Sequence, residues 1–375
     1  MRADEERRIM KFSINQSALN DILNTVNKAV SQRATNPALA GILLEANENE
    51  VTLRGTDLEL SIQATAPALI EEDGKALLPA KLLSDIVGNL PDEAVNIEVS
   101  EDKADITCAN SNFSIRTLNA TDYPEFPKVE TKEKVTLPFK EFSDMTKRVA
   151  KMTARDDSRP ILQGVNVKVN GNKLELVATD AYRIAVASAE VETDNTSEFT
   201  AVLPGQFMMD VAGLKGDIDK ATISLSENQV VVECNDMIFI NRRIAGTFPP
   251  HDQFLSAEPK LVATVNVKEL TEAVRRISVL SYIAQAIKMT FDPGTNKLAL
   301  SGTAADVGSC DEIVEAKYST DCEKIDISFN CAYVLDGLTC FNGDEVNIAI
   351  VAGDKPGVFK DDGHIHYVLL PVKVD

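Results

Sequence analysis

The sequence contains no C-x-x-C pair and only three histidines among 375 residues. Zinc sites need clustered cysteine and histidine ligands, so no metal is expected, and no motif asks for another cofactor. The six cysteines, at 108, 234, 310, 322, 331 and 340, are scattered. Cys108 and Cys234 fall in alternating runs and read as small buried hydrophobes, which fits a reducing, cytoplasmic compartment. No run of 18 apolar residues occurs, so no membrane-spanning helix and no membrane partner are expected. The opening MRADEERRIM is charged and has no apolar stretch, so a secretory signal is not expected. Residues 1–9 read as a disordered extension, and MKFSI, from Met10, as the first strand. His251, His364 and His366 have no neighbouring nucleophile motif, and VAGDKPG lacks phosphate-loop spacing. Asp361-Asp362-Gly363 reads as a turn rather than a metal site. The chain is therefore not expected to be an enzyme.

What is present is a repeat. The length suggests two or three domains, and 44% hydrophobic with 26% charged residues is ordinary for a globular protein. NPALAGILLEANENEVTLRGTDLELSIQA (36–64) matches RPILQGVNVKVNGNKLELVATDAYRIAVA (159–187) without a gap. Pro37, Leu39, Gly41, Thr56 and Asp57 fall on Pro160, Leu162, Gly164, Thr179 and Asp180. LLPAKLLSDIVGNL (77–90) answers VLPGQFMMDVAGLK (202–215), and FSIRTLNATDYPEF (113–126) answers FINRRIAGTFPPHDQF (239–254). A fainter third copy carries NKLALSGTAAD (296–306) and FNCAYVLDGL (329–338). Self-similarity of this kind means one structural unit used three times. Domains are expected over 10–130, 131–256 and 257–375.

Each copy reads as a strand, an amphipathic helix, alternating strands with turns such as NGNK and PGTNK, a second helix opened by an LP step, and further strands. Two helices and roughly eight strands per copy predict an α+β fold, three pseudo-repeated units of two helices packed on antiparallel sheets. The absence of βαβ alternation argues against a dinucleotide-binding fold.

The chain carries 58 acidic and 38 basic residues, a formal net charge of −20. Against that background TKRVAKMTAR (146–155) is purely basic. On a helix running through PFKEFSDMTKRVAKMTAR, Lys147, Arg148, Lys151 and Arg155 share one face, interrupted only by Asp144 in the first turn, while Phe142, Met145, Val149 and Met152 share the opposite one. The matching helices are expected to run through QSALNDILNTVNKAVSQR, with Lys28 and Arg33, and VKELTEAVRRISVLSYIAQAIK, with Lys268, Arg275, Arg276 and Lys288. Equivalent basic helices in equivalent copies suit a ring with a basic lining and an acidic exterior. Such a lining would hold duplex DNA through phosphates without reading its sequence.

In order and at these spacings, MKFSI, RPILQGV, ATDAYRIAVA, FNCAYVLDGL and the YVLLPVKV tail resemble the bacterial sliding clamp family, the beta subunit of DNA polymerase III. The resemblance runs from Met10 to Asp375. It implies a processivity factor: a head-to-tail homodimer closing a ring that encircles double-stranded DNA and tethers polymerase. It also implies the DNA polymerase III catalytic subunit, an ATP-dependent clamp loader, and other DNA polymerases, ligase and mismatch-repair proteins carrying clamp-binding peptides as partners. Those peptides would enter a groove between the second and third copies. The residues carried over are Leu162, Gly164, Thr179, Arg183, Ile184, Pro249, Phe254, Asn330, Tyr333, Val368, Leu370, Pro371 and Val372. For DNA, Arg33 and Arg159 join Lys147, Arg148, Lys151, Arg155, Arg275 and Arg276. Phe113 and Ile115 should meet Val279 and Leu280 of the partner, the latter pair on the first helix of the third copy. The apolar tail is expected to dock rather than fray. Pro250-His251, Tyr182 and the final Asp375 depart from the usual family pattern.

Overall fold

A computed structural model of the chain describes residues 9–31, 36–156, 158–192, 198–280, 286–304, 307–319, 323–362 and 364–373. The first copy holds β1 (Met10–Asn15), α1 (Gln16–Val26), β2 (Gly41–Asn47), β3 (Glu50–Thr56), β4 (Ser61–Pro67), β5 (Leu69–Glu72), β6 (Gly74–Pro79), α2 (Ala80–Gly88), β7 (Ala94–Val99), β8 (Lys103–Cys108) and β9 (Ser111–Arg116). The second holds β10 (Glu133–Pro138), α3 (Phe139–Val149), β11 (Gly164–Asn170), β12 (Lys173–Thr179), β13 (Arg183–Glu190), β14 (Phe199–Pro204), α4 (Gly205–Ala212), β15 (Lys220–Leu225), β16 (Gln229–Cys234), β17 (Met237–Arg242) and the one-turn α5 (Asp252–Leu255). The third holds β18 (Leu261–Asn266), α6 (Val267–Ser278), β19 (Ala286–Asp292), β20 (Lys297–Ala304), β21 (Gly308–Tyr318), β22 (Ile325–Asn330), α7 (Cys331–Leu338), β23 (Glu345–Ile350), β24 (Gly357–Lys360) and β25 (Ile365–Leu369).

Six strands run into helices with no loop between them, and each such strand ends on asparagine or proline. Asn15 accepts from Ser17 N–H, Asn266 from Glu269 N–H, and Asn330 from Ala332 and Tyr333 N–H. These side chains satisfy amide donors that the first helical turn leaves open. Pro79, Pro138 and Pro204 close their strands one residue before the helix rather than occupying its first turn, as the LP steps suggested. The NGNK turn is a tight hairpin between β11 and β12 with Gly171 at φ 55°. At PGTNK, Asn296 takes the same left-handed region, at φ 55°.

The first helices are shorter than their apolar periodicity suggested. α1 ends at Val26 and α3 at Val149, each running into a 3-10 turn. Arg155 lies beyond that turn. α6 ends at Ser278, so Val279 and Leu280 sit in the turn after it rather than on it. Lys288 belongs to β19, where Ile287, Met289 and Phe291 alternate inward, a strand period rather than the helical one expected for this stretch.

The described residues form two compact bodies, those between 9 and 140 with 213–243, and those between 141 and 212 with those between 244 and 373. The middle copy contributes strands to both. In the first body, a five-stranded sheet (β5-β1-β7-β8-β9) accompanies an eight-stranded one (β10-β15-β16-β17-β4-β3-β2-β6). Leu19, Leu23 and Val26 of α1 are buried, and the helix packs on β3, β4 and α2. The Ile9 amide already donates to Val99, so sheet bonding starts one residue before Met10. The second body carries one twelve-stranded sheet, β14-β11-β12-β13-β25-β24-β23-β18-β21-β20-β19-β22. All the pairings are antiparallel. In each body one copy is joined to the next by a single strand pair: β17 beside β4 with Phe239 opposite Ile62, and β25 beside β13 with Tyr367 opposite Ala185.

Tyr367 is fully buried, and its hydroxyl donates to the Tyr333 carbonyl at 2.7 Å. Its ring lies against Gly337 of α7, where an added Cβ would fall inside the ring's van der Waals surface. Alanine gains at most about 1 kcal/mol in helix propensity, while overpacking a core costs roughly 1–3 kcal/mol. Because the added Cβ would meet a fully buried ring, the cost lies at the upper end, about 3 kcal/mol, and the Gly337→Ala variant is expected to lose about 2 kcal/mol net in urea denaturation. A variant as stable as the parent would show that the ring can step aside.

Candidate functional site

A short turn recurs between the third and fourth strands of the first two copies. In the second copy, Thr179 Oγ1 accepts from Ala181 N–H at 3.1 Å and donates to the Arg183 carbonyl at 2.6 Å. Asp180 Oδ1 accepts from Tyr182 and Arg183 N–H at 3.0 and 3.1 Å. Ala181 takes φ 78°, a conformation that short local side-chain bonds help to hold. The turn starts β13 with Arg183 pointing inward.

Arg183 organises what surrounds it. Its side chain is 7% exposed, and its Nε and Nη1 reach Asp180 Oδ2 at 2.9 Å and Asp336 Oδ2 at 2.6 Å. Its guanidinium lies 4.3 Å from the Tyr333 ring centroid. Burial alone would lower its pKa, but the Asp336 hydrogen bond and the Asp180 charge outweigh that and raise it. A guanidinium keeps its charge even when buried, so its donors must be matched in this way to offset the cost of burial.

Beside this cluster lies a cavity of about 330 Å³. Leu162, Ile184, Val368 and Leu370 supply apolar lining, and Phe248, Pro249, Pro250, Gln253 and Phe254 come from the segment around α5. Thr179, Ala181, Tyr182, Arg183, His251 and Arg159 complete it. Eight of the thirteen predicted groove residues line the cavity: Leu162, Thr179, Arg183, Ile184, Pro249, Phe254, Val368 and Leu370. The other five have different places. Gly164 is a packing glycine whose added Cβ would strike Val202. Asn330 caps α7, and Tyr333 stacks on Tyr182 with ring centroids 6.3 Å apart. Pro371 and Val372 continue the tail, where Leu370 N–H donates to Tyr182 and Val372 N–H to Ser328. The tail is thus docked, as its apolar content suggested.

Sequence reasoning missed Ala181, Phe248 and Gln253 as lining; it tied Tyr182 and Pro250-His251 to the groove edges only as departures from the family pattern, and it assigned Arg159 to DNA although that residue lines the cavity. The repeat alignment held a usable signal for Phe248. Its counterpart, Tyr123, folds down in the first copy, donating to the Arg54 carbonyl at 3.0 Å and packing against Ala38, Leu43 and Leu77. Phe248 instead stands at a cavity wall.

The other predicted residues are distributed as follows. Phe142, Met145, Val149 and Met152 are buried, and Lys147, Lys151, Arg155 and Arg275 are exposed, with Arg148 partly so. Arg276 is not a free cation: Nε and Nη2 bind Glu312 at 2.7 and 2.9 Å. Arg33 lies outside the described residues. Phe113 is 40% and Val279 76% exposed, and Leu280 is half-buried. Ile115 shares a face of β9 with Phe113 and is largely buried within its own body.

Three family models match in order: DNA polymerase III beta subunit N-terminal domain over residues 10–127, central domain over 136–250 and C-terminal domain over 253–373. The chain is 31% identical to the beta sliding clamp of Synechococcus elongatus, with 97% of this chain and all of the relative covered. It is 28% identical, over the same shares, to the beta sliding clamp of Bacillus subtilis. Among solved structures it is similar to the Bacillus subtilis DNA polymerase sliding clamp, with TM-score 0.89, 27% identity and 98% of this chain and all of that one covered. The DNA polymerase III beta subunit of Thermotoga maritima gives TM-score 0.90 at 25% identity over the same shares.

Removing one partner of a buried ion pair costs about 3–5 kcal/mol. Asp336 is half exposed, so Arg183→Ala is expected at the low end, about 3 kcal/mol, by chemical denaturation followed by circular dichroism. Arg183→Lys keeps the charge but not the fork, and should recover less than half of the loss. Full recovery by lysine would show that charge alone, without the paired hydrogen bonds, holds the cluster.

Proposed function

The chain belongs to the DNA polymerase III beta subunit family, and from that premise we propose how its parts carry out the clamp's work. It is a sliding clamp, a processivity factor of DNA replication with a three-domain fold. DNA and DNA polymerase are its partners. We set the domain boundaries at 10–130, 131–256 and 257–375, and place the protein in the cytoplasm as a non-catalytic subunit.

One observation carries the ring. The strands fall into equivalent sets: β9, β17 and β25 end one kind of sheet, and β4, β13 and β21 end the other. Within the chain, β17 pairs with β4 and β25 with β13. That leaves β9, and the first eight residues of β21, with one edge unpaired among the described residues. An unpaired edge is a template for another strand. Two chains that join β9 to the partner's β21 would close head to tail, using each kind of edge once. Exposed Phe113, Val279 and Ile313 (63% exposed) would be covered by that contact. Transferring the register of the internal joints places Phe113 opposite the partner's Cys310.

A closed ring retains DNA by topology, so its phosphate contacts can stay weak enough to slide. Lys147, Arg148, Lys151, Arg155 and Arg275 suit that role, with Arg33 added from the repeat. Arg159 and Arg276 are weaker candidates, one at the groove and one bound to Glu312. The cavity beside Arg183 is the docking groove for partner peptides with apolar anchors, since it offers apolar walls and a few fixed polar groups. Its users would be the polymerase III catalytic subunit, other DNA polymerases, ligase and mismatch-repair proteins. An ATP-dependent loader would open the ring.

Clamp assembled on nicked circular DNA should survive a high-salt wash and run off once the circle is cut. Equal loss from circular and linear DNA would sink the ring. For the contact itself, Phe113→Cys should form a disulfide-linked dimer on mild oxidation, absent when Cys310→Ser is added. Cross-linking that persists without Cys310 would show the register to be wrong. Changing Val279 and Leu280 to aspartate should give a folded monomer in sedimentation, and an unchanged dimer would remove those two residues from the interface.

A further inference from the structure

The repeat supplies an internal control for Tyr182. In the first copy, the turn at Thr56-Asp57 makes the same bonds: Leu58 N–H to Thr56 Oγ1 at 3.1 Å, Glu59 and Leu60 N–H to Asp57 Oδ1 at 2.9 and 2.7 Å, and Thr56 Oγ1 to the Leu60 carbonyl at 3.0 Å. Leu58 takes φ 80° where Ala181 takes 78°. The tip residue is Glu59 in one copy and Tyr182 in the other. The turn therefore forms with either side chain, and folding does not require the aromatic ring. Yet Tyr182 is 62% exposed while stacked at 30° on Tyr333, and it lines the groove. An exposed large ring that the backbone does not need points to a ligand.

We propose that Tyr182, backed by Tyr333, is a specificity shelf continuous with the groove, and that it takes a cationic side chain, above all arginine, flanking the apolar anchor of a docked peptide. This rests on the groove reading given above. The cationic choice follows from the local charge. Two carboxylates, Asp180 and Asp336, and one guanidinium, Arg183, surround Tyr333, an excess of one negative charge. Burial and then the Asp180 charge raise the pKa of the Tyr333 hydroxyl, against the opposing pull of Arg183. Asp336 is half exposed, with one oxygen given to Arg183. The other groove cation, Arg159, stands at the start of the 3-10 turn before β11 and is not among the groups acting on that hydroxyl. A guanidinium arriving from a partner would stack on the open Tyr182 ring with a carboxylate close by. Arg183 already packs on Tyr333 in that manner. Exposed cation–π contacts are worth about 0.5–1 kcal/mol, or roughly two- to five-fold in affinity.

The test uses the full chain and synthetic peptides that share one apolar anchor and differ only in a flanking residue, arginine or glutamine, placed in turn on each flank. Fluorescence anisotropy reads affinity. On the parent protein the arginine peptide should bind about three-fold tighter on one flank. That ratio should fall to about one in Tyr182→Ala and persist in Tyr182→Phe. A ratio unchanged in Tyr182→Ala would overturn the shelf. A tryptophan-flanked peptide that outbinds the arginine one would overturn its cationic character. Failure of every peptide to bind the parent would remove the groove reading itself, and the shelf with it. Circular dichroism of Tyr182→Ala should match the parent, since Glu59 fills the equivalent turn.

Discussion

The molecule depends on one repeated joint, the antiparallel pairing of the last strand of one copy with the fourth-position strand of another. β17 with β4 and β25 with β13 extend a hydrogen-bonded sheet from copy to copy, so neighbouring copies share backbone bonds as well as side-chain contacts. The register brings a buried aromatic, Phe239 or Tyr367, against the facing strand at each joint. A one-residue slip would turn that ring to the other face of the sheet. The alternation of apolar residues along these strands therefore sets the geometry of the joint and the body built on it.

The groove is a by-product of the second joint. The turn that begins β13 aims Arg183 inward, β25 brings the apolar Val368 and Leu370 beside it, and α7 brings Asp336 and Tyr333. Arg183 ties these elements together with one fixed charge and three directed contacts. The first copy has the same turn but places Leu60 where Arg183 stands, and its following segment is drawn down through Tyr123. The two copies thus share this turn but differ at Leu60 against Arg183, at Ser61 against Ile184, and in where the following segment packs.

The repeat, the α+β class and the helix order were legible in the sequence because each rests on local periodicity or on motif spacing that survives between copies, and the motifs carried over by resemblance include eight of the residues that line the cavity. Val149 and Met152 announced a buried face, and they are buried. Helix ends were less legible. Ile287, Met289 and Phe291 alternate with Lys288 and Thr290, a strand period that the helix extended through Lys288 overlooked, and they pair with β20 and β22. The surroundings of Ile115 and Arg276 were less legible for a related reason. Whether an apolar residue on an edge strand faces its own core, or an arginine meets a glutamate 36 residues away, is decided by tertiary contacts that spacing does not encode. Arg159 precedes PILQG in the pattern, but the side of the fold that it reaches depends on the 3-10 turn that follows.

The joint between chains, as proposed, is the same strand pairing as the joints within a chain. Equal contacts do not give equal persistence. Partners inside one chain meet at an effective concentration set by their tether, of the order of millimolar for short connections. Partners on separate chains meet only at the concentration of the protein in solution. With the same bonds at every seam, the seam without a covalent tether is the one that opens. A ring so joined needs no specially weakened lock: the seam that lacks a tether serves as the gate.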